Sequence, residues 1–190
     1  MIPEIQTGFG RLGTWFGADL YQTIPDIMVI GKALGGGLPL FGVLFSSNLQ
    51  GLAPGDHSFT FAHFPLSMAA AIATIQVLED ENLLDRANKM GAIFTSHLRE
   101  LQDKYELIGD IRGPGLMLGI ELVKDRKTKE PAREETTRFI KEGLKRGVIF
   151  GESKYLGLGN IVKIKPPLVI TEDQVHKTLD VFEEIVRELS

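Results

Sequence analysis

The chain has 190 residues, 43% hydrophobic and 24% charged, with a formal net charge of -4. That composition suits one large or two small globular domains, argues against a nucleic-acid partner, and holds no apolar run near a bilayer span. It has no cysteine, which removes disulfides, thiolate catalysis and cysteine-ligated metals and fits a reducing compartment. Because Met1 to Gln6 carry Pro3 and Glu4 rather than a basic and then apolar leader, the expected location is the cytoplasm.

In chain order, Ile2 to Ile5 reads as a strand tail interrupted by Pro3, which removes a ladder donor. A glycine turn over Thr7 to Gly13 follows, then a short helix over Thr14 to Leu20 with Trp15 and Phe16 expected in the core. Ile27 to Ile30 and Phe41 to Phe45 are apolar strand signals. Ser46 to Asn48 supply cap chemistry for a brief helical turn through Leu52. Pro65 stands where a first helical residue would, opening a helix to about Leu78 with Met68, Ile72 and Ile75 on one face. After an acidic break at Glu79 to Glu81, a long amphipathic helix is expected to reach about Tyr105. Its inward stripe comprises Leu83, Leu84, Ala87, Met90, Ile93, Phe94, Leu98 and Leu101.

Beyond Glu106, strands are expected over Leu107 to Arg112 and Leu116 to Val123, around Gly113-Pro114-Gly115, with Lys124 to Glu130 as a charged loop. Arg133 to Arg146 reads as a helix with Phe139, Ile140 and Leu144 inward and Gly147 as its stop. Short strands follow at Val148 to Phe150 and Ile161 to Ile164. Thr171 to Gln174 forms a capping box that opens a last helix, with Val175, Leu179, Phe182, Val186 and Leu189 inward. The expected division is 1–105 and 106–190, the second part a compact α+β domain.

Chemistry centres on Lys32. It ends an apolar strand and leads into Gly35-Gly36-Gly37, backbone that can approach a ligand closely. An ammonium beside apolar walls has its charged form disfavoured, which exposes an amine nucleophile; the alternative is a lysine snorkelling into water. Gly8-Phe9-Gly10-Arg11-Leu12-Gly13 formally matches G-x-G-x-x-G. A dinucleotide fingerprint also needs a good strand before it, a substantial helix after it and an acid closing a second strand. A nicotinamide-dependent oxidoreductase therefore stays as an alternative. His57, His97 and His176 are too dispersed for a metal site, and His63 carries no assigned chemistry.

Five segments stand in one order: Gln6 to Arg11, Pro25-Asp26, Gly31 to Pro39, Ser58 to Phe61 leading to Pro65, and Arg112 to Gly119. Together they resemble the class III (ornithine/4-aminobutyrate type) aminotransferases, pyridoxal-phosphate enzymes of fold type I. The resemblance runs along essentially the whole chain. It implies an α/β fold: the C-terminal part of the fold type I large domain, with a mixed, mostly parallel sheet, followed by a small α+β domain. It also implies amino-group transfer from an amino or ω-amino acid to a 2-oxo acid, with those small molecules as partners.

By this resemblance Lys32 is the Schiff-base lysine and proton carrier, and Gln6 bonds the cofactor's ring hydroxyl. Thr60 donates to the cofactor phosphate across a dimer interface, and Arg112 clamps a substrate carboxylate with its rigid fork. The tail from Lys145 to Thr171 is most similar to members acting on alanine-glyoxylate or 4-aminobutyrate-type pairs. Two departures stand out. Pro3 occupies the place of the family's aspartate at the pyridine nitrogen, and neighbouring Glu4 would face the opposite side of a strand. By the same resemblance the sequence is expected to begin midway through the family's large domain, after the upstream phosphate loop. Impaired turnover is expected, with a non-catalytic fragment that folds and dimerises as the alternative. A half-sheet with an unpaired edge is expected to self-associate, at least to a dimer.

Overall fold

The computed structural model describes residues 1–49, 53, 55–56, 64–153 and 159–190. The chain forms two compact units, Met1–Asp85 and Arg86–Ser190.

The first unit is built on three strands, β1 (Ile2–Pro3), β2 (Ile27–Gly31) and β3 (Phe41–Phe45), in the order β1-β2-β3. β1 runs parallel to β2, with Pro3 beside Val29, and β3 runs antiparallel to β2. The described sheet is thus mixed without being mostly parallel. Pro3 is tolerated because β1 is an edge strand of this sheet, and the ladder resumes one residue later, where Glu4 donates to the Val29 carbonyl at 2.8 Å. The expected early helix shrinks to α1 (Gly17–Leu20), with Trp15 and Phe16 half-buried ahead of it. α2 (Pro65–Asp80) takes its proline in the first turn, where a missing N–H costs nothing. Of the expected apolar face, Met68 and Ile72 are exposed, Ile72 by 70%, and Ile75 is half-buried in this unit. Thr60 and the expected helical turn through Leu52 lie wholly or partly outside the described residues.

The second unit contains nearly all of α3 (Leu83–Lys104), followed by β4 (Ile108–Arg112), β5 (Leu118–Asp125) and β6 (Glu130–Pro131). Then come α4 (Arg133–Lys145), β7 (Gly151–Ser153), β8 (Ile161–Ile164) and α5 (Glu172–Leu189). The strands pair as β4-β5-β8-β7 with β6 on β5, and every pairing is antiparallel. The contact division falls at Asp85/Arg86, inside the first turn of α3 and earlier than the expected 105/106, because Ala87, Phe94, Leu98 and Leu101 belong to the second unit's core. Phe139, Phe150 and Phe182 meet there with ring centroids 4.8–6.0 Å apart. Tilted and edge-on pairs of this kind add about 0.5–1.5 kcal/mol each beyond area burial. Gly143, not Leu144, faces that cluster: a Cβ on Gly143 would stand 2.5 Å from the Phe150 ring, while Leu144 is exposed. The predicted strand at Val148 to Phe150 instead begins at Gly151, and the charged loop from Lys124 is partly β5 and β6. α5 opens on the predicted box, Thr171 accepting from Gln174 N–H and Gln174 accepting from Thr171 N–H.

Candidate active site

β2 carries the chain to Gly31, and Lys32 then turns it into a single 3-10 turn, Lys32–Gly35. Lys32 has φ +47°, the left-handed region that a side chain with Cβ enters at a cost of about 1–2 kcal/mol. A conformation of that kind persists only where the surroundings hold it, and here β2, paired along its length to β3, fixes the approach. The exposed Lys32 side chain stands at a cavity of ≈340 Å³ whose other lining residues include Ile5, Ile30, Leu38, Pro39 and Phe41. An amine at the rim of an apolar hollow can form a covalent bond with a carbonyl group brought beside it.

The three glycines have a different explanation from the expected ligand approach. A Cβ on Gly36 would fall 2.5 Å from Thr74 Oγ1 of α2, and Gly36 is left-handed at φ +58°. Gly35 lies against Leu40. Only Gly37, at φ +102°, has open space where a side chain would be. The run lets α2 pack on the turn after Lys32, and so acts on the lysine's placement.

Gln6 is exposed in the turn after β1, in the same unit as Lys32. Its neighbour Glu4, which the sequence suggested as a poor substitute for a ring-nitrogen acid, is only 1% exposed. Its carboxylate accepts the N–H of Ala18 at 2.7 Å and of Gly17 at 3.0 Å, and the Thr7 hydroxyl donates to it as well. Glu4 is thus committed to the first turn of α1. β1 offers the cofactor's ring nitrogen no free carboxylate, whereas the amine and apolar wall fit the group.

The same contact disposes of the dinucleotide reading of Gly8 to Gly13. The helix after that turn is four residues long, and the N–H groups that a pyrophosphate would need already face Glu4. Sequence reasoning missed this role of Glu4. Its signal was the pairing of Glu4 with Thr7 three residues on and with a small residue at Gly17, whose Cβ would crowd the carboxylate at 3.2 Å.

Arg112 ends β4 in the second unit. It is ion-paired with Asp110 and lies 3.8 Å from Glu121. The hydrogen bond from Arg112 holds the Asp110 carboxyl below its ordinary range. A substrate carboxylate would compete with two resident acids for this guanidinium. Thr60 lies outside the described residues. The second unit has its own hollow of ≈410 Å³, lined in part by Phe94, Phe150, Lys163, Lys165 and Pro166. Among the described residues no helix is long and apolar enough to cross a membrane.

The family model for class-III aminotransferases matches residues 1–186. The leucine/methionine racemase of Thermococcus litoralis is 38% identical over 189 residues, covering 99% of this chain and 42% of the relative. The acetylornithine aminotransferase of Methanothermobacter thermautotrophicus is 37% identical over 190 residues, covering 100% of this chain and 45% of the relative. An amine transaminase from an uncultivated Pseudomonas species, solved in its PLP-bound form, superposes with a TM-score of 0.87 at 31% identity over 98% of this chain and 44% of that one. The chain spans less than half the length of these relatives.

Proposed function

The chain belongs to the class-III aminotransferase family, and from that premise we propose that it carries the lysine-bearing part of a pyridoxal-phosphate site for amino-group transfer from an amino or ω-amino acid to a 2-oxo acid. The observation that carries this reading is Lys32, held left-handed at the end of β2 on the rim of an apolar cavity. When bound, pyridoxal phosphate supplies the electron sink that makes bonds at a substrate's α-carbon breakable. Lys32 Nζ is the group that holds the cofactor covalently and afterwards moves the proton at the substrate α-carbon. Ile5, Ile30 and Phe41 give that hollow its apolar wall. Gln6 is the candidate donor to the cofactor's ring hydroxyl. Thr60 is proposed as a phosphate ligand, and Arg112 as a carboxylate clamp once Asp110 yields. Cytoplasmic location and self-association, at least to a dimer, belong to the same proposal.

A second reading, a chain that folds and associates without turnover, is favoured by Pro3 and by the commitment of Glu4 to α1. Incubating the chain with pyridoxal phosphate, L-alanine in D₂O and a 2-oxo acid separates the possibilities. Transfer forms a new amino acid and pyruvate. Racemisation, the activity named in the Thermococcus litoralis relative, gives α-deuterated D-alanine without pyruvate. No exchange at the α-carbon supports the non-catalytic reading.

A further inference from the structure

We propose that Glu4 is the positioning residue of the Lys32 cavity, fixing in place Ile5, which lines it, and the adjoining Gln6. The inference rests on the reading of that cavity as the cofactor site. Glu4 binds in three directions at once. Its N–H donates to the Val29 carbonyl of β2 at 2.8 Å, and its carbonyl accepts the N–H of Gly8 at 3.1 Å. Its carboxylate accepts Gly17 and Ala18 N–H groups and the Thr7 hydroxyl. Burying a charge is costly unless donors surround it, and charge-assisted bonds to backbone N–H are among the stronger ones available. Glu4 therefore clamps the turn and the start of α1 to β2, the strand that leads into Lys32. The next two residues are Ile5, which lines the cavity, and Gln6. Space around the clamp is tight: a Cβ on Gly8 would stand 2.8 Å from the Glu4 carbonyl oxygen, and one on Gly17 would meet both carboxylate oxygens.

The test compares the 190-residue chain with Glu4→Gln, which keeps the shape but sets an amide donor against N–H donors, and with the milder Thr7→Val. Without cofactor, the methyl resonances of Ile5, which lines the cavity, should shift and broaden. Amide exchange at Gly17 and Ala18 should rise about tenfold or more, the loss expected when a charged acceptor is removed. The second unit should not change. With pyridoxal phosphate, Glu4→Gln should weaken binding about tenfold, and should add much less once Gln6→Ala is present, since both act through one contact. Thr7→Val should move every readout the same way by a smaller amount. The proposal is overturned if the Ile5 methyl resonances are unchanged by Glu4→Gln, or if that variant lowers the melting temperature while leaving cofactor affinity unchanged. Failure of the wild-type chain to take the cofactor at Lys32 would sink the site reading alone, and the Ile5 methyl resonances would still decide the role of Glu4.

Discussion

A Cβ built on Gly91 would stand 2.2 Å from the carbonyl oxygen of Gly115, so α3 lies directly on the turn that follows β4. Gly113 in that turn has φ +119°, and its own Cβ would collide with the Met117 carbonyl oxygen at 1.9 Å. The Arg112 to Gly119 segment is thus accounted for, in large part, by close backbone packing. Gly91→Ala should destabilise the chain by about 1–3 kcal/mol, the usual cost of overpacking. A urea midpoint equal to that of the wild type would contradict the close approach.

Arg126 gathers the end of α3. Its Nε donates to the Ile108 carbonyl at 3.2 Å, and its Nη2 to the carbonyls of Tyr105, at 2.8 Å, and Gln102. Helix-terminal carbonyls lack partners of their own, and a planar fork satisfies several where an ammonium cannot. Arg126→Lys should therefore cost about 1–3 kcal/mol. Amide exchange localised to residues 101–108 would report the loss, and an unchanged pattern would remove Arg126 from this role.

Periodicity exposed much of the second unit because its core is complete within it. The α5 stripe Val175, Leu179, Phe182 and Val186 is buried as the spacing indicates, and Phe94 and Leu98 are wholly buried on α3. The first unit was less legible. Met68 and Ile72 carry the same apolar signal but face outward, since hydrophobic spacing marks a face to be covered and does not say what covers it. Lys32 was legible from its strand-to-glycine setting, whereas the purpose of Gly36 depends on Thr74, which lies far along the chain. The role of Glu4 was not legible because its partners, Gly17 and Ala18, lie thirteen and fourteen residues along the chain.

Glu183 ties Lys104 and Tyr105 together, and these bonds hold its carboxyl below the ordinary range, the Lys104 contact most of all. A carboxylate with a depressed folded-state pKa contributes stability above its unfolded value, about 4.3, and loses it as pH falls through the folded value. Lys104 is raised by the same bond, so its share is present below about 10.4 and fades as pH rises through its folded value. Glu183→Gln should lower the melting temperature at neutral pH and converge on the wild type in acid. A constant difference down to pH 2 would argue against the linkage.

β3 pairs with β2 on one side and has no partner on the other among the described strands, while Phe41 is 68% and Leu44 50% exposed. Open apolar edges invite pairing with another chain, and a lysine on the edge suppresses it. The chain should elute as a dimer or larger at micromolar concentration, and Leu44→Lys should shift it toward monomer. A clean wild-type monomer would contradict the expectation.

The central claim is that Lys32 is the group that holds the cofactor. Treating the chain with pyridoxal phosphate, reducing with borohydride and mapping the peptides by mass spectrometry tests it most directly. The expected result is a stable pyridoxyl adduct on the peptide bearing Lys32, abolished in Lys32→Ala. An absent adduct, or one spread evenly over the other lysines, would contradict it.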